Sequence, residues 1–292
     1  MLQVLNGTIT GQIGSLKSFI ETNVALFTSF GWEVTFPAGL NSVIMKQGSY
    51  NNRTRAILYI NDSTTLESRI FMGDSITGDT SSTLKNMTPR ATQVAGGLYL
   101  RKSDTSNATV RNITLIFNNR SIYFIIQDGK SDYDYFVSFF GDYIPIGETK
   151  YTQILIGNTS SNANNVLFNK LSASITTLTG HYLLNDPVGL NKAIQFGKSI
   201  DYIKSNATTT MGSSGLSYPN PLNNKPLFSS VDLFIISPSI LYLGKMPGII
   251  IPLHNKPFAN GDTFTIGTKS YIVINIYDIG QACFETSDTW EI

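Results

Sequence analysis

A mainly β fold with one amphipathic helix near the N-terminus is what this 292-residue chain predicts. Three observations point to it. Short runs rich in Val, Ile, Phe and Tyr recur along the chain, bounded by Gly, Asn and Asp. Only one convincing stretch, Ser15 to Phe30, repeats its apolar residues near a 3.6 period. The most patterned segment, "FNNRSIYFIIQDGKSDYDYFVSFFGDYIPIG" (Phe117 to Gly147), reads as strands joined by two turns. The expectation is an α+β chain of antiparallel sheets, packed as a β-sandwich or barrel-like domains, with the helix laid on a sheet.

In the helix, Leu16, Phe19, Ile20, Val24, Phe27 and Phe30 form the apolar face. Ser15 is placed to cap its start, and Gly31 stands where a left-handed residue ends it. "WEVTF" follows as an alternating strand with Trp32, Val34 and Phe36 on one side. "SVIMKQ" and "RAILYI" are strands joined by the loop "GSYNNRT", and "SRIFMG" and "GGLYLRK" add two more. Between those last two, "DSITGDTSSTLKNMTPR" reads as an exposed polar excursion.

"NITLIF", "SIYFIIQ" and "YDYFVSFF" read as an antiparallel meander, turning at Asn118-Asn119 and again in "DGKSD". In the third strand Tyr133, Tyr135, Val137 and Phe139 share a face, opposite Asp132, Asp134 and Ser138. Phe136 and Phe140 break the alternation, which predicts a second face partly covered by another element or by a neighbouring subunit. A boundary is placed near residue 150, giving an N-terminal helix-plus-sheet domain (1–150) and a C-terminal β-rich domain (151–292). The second domain carries long polar loops at 158–165 and 205–225, and "DPVGLNKAIQF" reads as a short helix after Asp186. The chain closes in strands "SVDLFII", "ILYLG", "GIIIPL", "DTFTIG", "SYIVINIY" and "QACFET", with a tight hairpin at Gly267-Thr268.

Composition narrows the function. Charged residues make up 14%, well below the roughly 25% of an average soluble protein, and the net charge is +1. A surface so poor in charge suits close contact with other chains. Lys and Arg are scattered, which argues against sequence-specific nucleic-acid binding. No apolar run approaches the ~20 residues of a membrane span, and the first residues lack the pattern of a signal peptide. Cys283 is the one cysteine, so no disulfide within the chain is expected. Asn-x-Ser/Thr sequons are read as a by-product of an Asn/Ser/Thr-rich sequence.

Few residues suggest chemistry. His181 and His254 lie far apart in sequence without metal-ligand spacing around them, and are read as loop histidines. Asp128, Asp132, Asp134 and Asp142 form the densest carboxylate group, read as a turn residue and a solvated strand face rather than an acid–base pair or calcium loop. Tyr133, Tyr135, Phe139, Phe140 and Tyr143 are candidates for an interface or core, or alternatively for a sugar-stacking platform. No phosphate loop, dinucleotide fingerprint or nucleophile elbow occurs, so no enzyme activity, cofactor or metal is expected.

A helix leading into Gly31-Trp32, then "NNRSIYFIIQ", then an aromatic strand running into "FFGDYIPIGETKYTQILIG", resembles virion structural proteins of tailed bacteriophages. The closing "LYLGKMPGIIIPL", "GDTFTIGTKSYIVINIY" and "ACFET" are similar to the C-terminal end of those proteins. The likeness covers the N-terminal third and about the last sixty residues. It implies a non-enzymatic tail or baseplate component of a contractile phage, joining tail tube and baseplate. The implied partners are copies of itself in a ring, a hexamer being one form, and other tail and baseplate proteins. The implied location is the virion, after synthesis in the host bacterial cytoplasm. The alternatives are a neck or head-to-tail joining protein, and a receptor- or sugar-binding module of a tail tip.

Overall fold

A computed structural model of the chain describes residues 2–88, 97–127, 129, 135–147, 149, 152–157, 181–183, 194–198, 226–235, 241–252, 258–276, 280–287 and 290. The first strand, β1 (Gln3–Ile9), is followed by α1 (Ser15–Thr22) and α2 (Val24–Ser29). Then come β2 (Glu33–Thr35), β3 (Ser42–Lys46), β4 (Ile57–Asn61) and β5 (Glu67–Gly73), the two-residue strands β6 (Ser75–Ile76) and β7 (Leu84–Lys85), and β8 (Leu98–Arg101). The meander is β9 (Arg111–Phe117), β10 (Ile122–Gln127) and β11 (Tyr135–Asp142), with β12 (Ile144–Pro145), β13 (Gln153–Ile156), β14 (His181–Leu183) and β15 (Ile194–Lys198) after it. β16 (Phe228–Ile235), β17 (Leu241–Pro252), β18 (Thr263–Ile266), β19 (Lys269–Ile276) and β20 (Gly280–Glu285) complete the strands. The fold is mainly β and almost wholly antiparallel, and no closed barrel forms among the described residues.

The strands stack as three layers. β2-β3-β4-β5-β8 form one sheet, and β1-β9-β10-β11-β13-β14 run side by side as the central layer. β15-β16-β17-β20-β19-β18 make the third, tied to the central layer where Tyr135 meets Ile276 and where β12 pairs with β17. One core lies between the central and third layers, where Tyr123, Ile125, Val137 and Phe139 meet Val231, Ile251, Ile274 and Phe284. A second lies on the opposite face, where Leu115, Phe117, Ile122, Phe124 and Phe140 meet the helices and the first sheet. Ile122 through Ile126 are therefore all buried, which is why β10 reads as a continuous apolar run rather than an alternating one. The second face of β11 is covered by other elements of the same chain.

Several sequence expectations change in detail. The helix is two helices, not one. At Asn23 the side-chain Nδ2 donates to Phe19 C=O at 2.8 Å and the backbone N–H reaches back only three residues to Ile20 C=O, so the ladder breaks there. Ser15 does not cap the start: Gly14 occupies that place with φ 74, and the Asp62 carboxylate accepts from Leu16 and Lys17 N–H at 2.9 and 3.0 Å. Gly31 does take the left-handed conformation, φ 86. The meander's first turn sits one residue later than expected. Asn118 faces Ser121, with Asn119 and Arg120 at the tip, and neither has a positive φ. The Asn118 side-chain oxygen instead accepts both the Arg120 and Ser121 N–H at 2.8 Å.

The excursion after β5 is not wholly exposed. β6 pairs with β7, and Leu84, Ile76 and Met87 pack on Ile44, Ile57, Tyr59 and Phe71 of the first sheet. "ILYLG" and "GIIIPL" belong to one strand, β17, whose pairing with β16 slips at two points. In "DPVGLNKAIQF" the residues from Ile194 are strand, β15, rather than helix, and 186–193 lie outside the described residues. The loops at 158–165 and 205–225 also lie outside them. The hairpin at Gly267-Thr268 is present, with Ile266 opposite Lys269. Among the described residues no helix is long and apolar enough to cross a membrane.

Candidate interaction edges

The residues singled out in the sequence go mostly to the interior. Phe139 and Phe140 are fully buried on opposite faces of β11, in the two different cores. Tyr143 is buried beside Phe139's core, and burial pushes its phenol up to about 12. Tyr135 is half-buried against the same core. Tyr133, Asp128, Asp132, Asp134 and His254 lie outside the described residues, and His181 is placed only as a backbone position in β14. With no ring surface open, Phe139 and Phe140 offer no face to a sugar or to another chain.

Asp142 is the one member of the carboxylate group among the described residues, and it is buried at 0% exposure. It meets the guanidinium of Arg120, also at 0%. Arg120 donates further to Gly48 C=O at 2.8 Å and Thr54 C=O at 2.5 Å. Gln153 Nε2 donates to Asp142 Oδ1 at 3.1 Å, and Arg53 approaches Oδ2 at 3.5 Å. The group joins the β3–β4 loop, the β9–β10 turn, β11 and β13, with the Asp142 carboxylate set between two guanidiniums. A second buried pair, Lys102 with Asp62, ties β8 to the start of α1; Lys102 Nζ also donates to Gln12 and Thr64 C=O at 2.8 and 3.0 Å. Both clusters hold loops to sheets. Among the described residues no group of three or more His, Cys, Asp or Glu is placed to hold a metal.

What the surface does offer is unpaired strand edge. β1 pairs only with β9 among the described residues, in unbroken register from Gln3 opposite Phe117 to Ile9 opposite Arg111. The Asn118 N–H bonds Ser121 C=O, which sets the alternation: β9 turns Thr114 and Ile116 to β10, and Ile113, Leu115 and Phe117 to β1. β1 therefore spends Gln3, Leu5, Gly7 and Ile9 on β9. The N–H and C=O groups of Val4, Asn6 and Thr8 point the other way, to the open side. Gln3 Nε2 turns back to one of them, Val4 C=O, at 2.8 Å.

Beside this edge runs an open groove of about 450 Å³ between β1 and α1, lined by Thr8, Ile9, Thr10, Ser15, Ser18, Phe19, Thr22 and Asn23. Its walls are hydroxyls, an amide and two apolar groups, with no charge. Gly7 lets the helix come this close, since a Cβ there would sit 2.3 Å from Phe19 Cε2. A second edge is β18, which among the described residues pairs only with β19; the bond from Val273 N–H to Asp262 C=O leaves Thr263 and Thr265 facing outward. Near it the third layer curls until Phe228 of β16 stacks 5.0 Å from Phe264 of β18, with Phe258 against both and Tyr271 following. Those rings spend their faces on one another. The two edges escaped the sequence reading because a strand's exposed border follows from sheet order, which local patterning does not encode.

No protein-family model matches this chain, and no curated protein matches it.

Proposed function

We propose that the chain is a non-enzymatic structural subunit that works by pairing its open strand edges with other protein chains, as a component of a phage virion. The observation that carries the assembly reading is the edge of β1 left unpaired among the described residues, seven residues long, uncharged and free of proline. Natural sheets protect lone edges with charges, proline or bulges, because such an edge otherwise recruits another strand. β1 has none of these and shows Asn6 and Thr8 exposed. A chain with 14% charged residues fits proteins that spend their working life in contact. The two buried ion clusters fix the loops around the sheets, so that an edge is presented in one geometry.

The virion assignment rests on the resemblance of "NNRSIYFIIQ", "FFGDYIPIG" and the closing strands to tail and baseplate proteins. In that setting the chain sits in a ring about the tail axis and joins tube to baseplate. A neck position uses the same contacts, and the place of its density in a map of the particle separates the two. Size-exclusion chromatography and mass photometry of the purified chain, with capture assays against the other virion proteins, test the assembly reading. Oligomers or stable virion-protein complexes are expected. A strict monomer that captures none of them overturns it.

A further inference from the structure

We infer that β1 is an isologous pairing site, where a second copy of this chain adds its own β1 antiparallel about a two-fold axis at Asn6. The inference rests on the assembly reading above and names the partner for one of its edges; being two-fold, the contact joins two rings rather than neighbours within one. The outward groups belong to Val4, Asn6 and Thr8, spaced evenly about Asn6. An antiparallel copy centred there sets Asn6 opposite Asn6 and Val4 opposite Thr8, so every outward N–H meets an outward C=O, with Val4 C=O, which accepts from Gln3 Nε2 at 2.8 Å, using its second lone pair. Self-complementarity of this kind is what a two-fold interface requires, since one patch must serve both sides.

Charge permits it as well. Gln3 to Ile9 contains no ionisable residue, and neither do the groove walls, so bringing two copies together sets no like charges face to face. The nearest ionised groups on α1, Lys17 and Glu21, lie 3.6 Å apart and neutralise each other. The groove beside the edge gives the incoming strand room. Its hydroxyls then face the corresponding hydroxyls of the partner's helix, polar surface against polar surface. The unbroken register of β1 on β9 adds a further condition: no bulge bends the edge away from a straight partner. The result is one sheet running through both central layers.

Asn6 is the position at which the idea is tested. Its N–H faces outward, so Asn6→Pro removes a donor from the new interface and none from the β1–β9 ladder, and proline is tolerated on an edge strand in that orientation. Loss of that donor from both copies weakens self-association about 30-fold. Asn6→Lys and Asn6→Glu each set like charges opposite across the axis and weaken it up to about fivefold, while an equimolar mixture of the two regains association. Sedimentation equilibrium reads all four, with circular dichroism checking the fold; if Asn6→Pro does not fold, the charge pair decides alone. Unchanged association in the single variants, or no recovery in the mixture, overturns the two-fold pairing and leaves the assembly reading intact. A wild-type monomer that still captures another virion protein does the same. A monomer that captures nothing overturns both.

Discussion

Arg120 and Asp142, both fully buried, meet at two points: Nε lies 2.8 Å from Oδ2 and Nη2 3.1 Å from Oδ1. The pair bridges the tip of the β9–β10 turn to the end of β11. Asp142→Ala leaves the guanidinium buried without its counter-charge and is expected to cost ~3–5 kcal/mol in urea denaturation. Arg120→Met combined with Asp142→Leu costs less than the two single changes added together, because one contact is lost twice in the sum. Strict additivity would mean that the two groups do not act on each other.

Asp62 has two tasks, pairing with Lys102 and capping α1. Asp62→Ala is expected to lose ~3–5 kcal/mol and to speed hydrogen exchange at the Leu16 and Lys17 amides. Asp62→Asn keeps an acceptor for those amides while losing the charge, so their protection falls less than in Asp62→Ala. Equal exchange in the two variants would show that the cap is not what protects the helix start.

Gly141 sits in the middle of "FFGD" with φ 148, and a Cβ there would lie 2.4 Å from Ser121 Cα. The contact is with backbone, which no rotamer change relieves. Gly141→Ala is expected to destabilise by at least ~2 kcal/mol and to loosen the bond from Asp142 N–H to Ser121 Oγ, 2.9 Å in the native chain. A thermal midpoint within a degree of the parent would refute this.

Alkaline pH is expected to unfold the protein earlier than its surface groups alone would require. Burial raises the Cys283 thiol from 9.0 to about 12 and the Tyr143 phenol from 10.0 to about 12. The folded state then holds these protons more tightly than the unfolded one. Their contribution is complete below pH 9 for the thiol and below pH 10 for the phenol, and falls as pH climbs toward 12. Urea midpoints taken between pH 8 and pH 11 follow this decline. Tyr143→Phe flattens the part above pH 10, and an unchanged slope in that variant would count against the assignment.

Strand identity was legible where turn residues and apolar pattern are local, but β1, Gln3–Ile9, was not read as a strand. "SIYFIIQ", "WEVTF" and the hairpin at Gly267-Thr268 carry their own turn residues and apolar patterns, and they fold as read. What failed was set by distant partners. Ser15 lost the capping role to Asp62, 47 positions on from Ser15 and brought there by β4. Asn23 breaks a helix whose apolar period continues across it, since periodicity records which face is buried and not whether the ladder is whole. Asp142 reads in the sequence only as one of four clustered carboxylates, whereas sheet stacking sets Arg120, Gln47 and Gln153 around it. The open edge of β1 was invisible for the same reason, because its vacancy is defined by which strands do not come beside it.

The central layer also imposes an order on biosynthesis. Its meander leaves the ribosome early, with the helices and the first sheet already made and able to cover one side. Among the described residues, the side chains seen packing over Tyr123 and Ile125 from the third layer begin in β16, which starts at Phe228, about 100 residues beyond Gln127. At translation speeds of ~5–20 residues per second, that side of the nascent sheet stays wet for ~5–20 s. Over that interval the growing chain presents a sticky aromatic surface to the cell, and chaperone occupancy during synthesis is expected to peak between those two points.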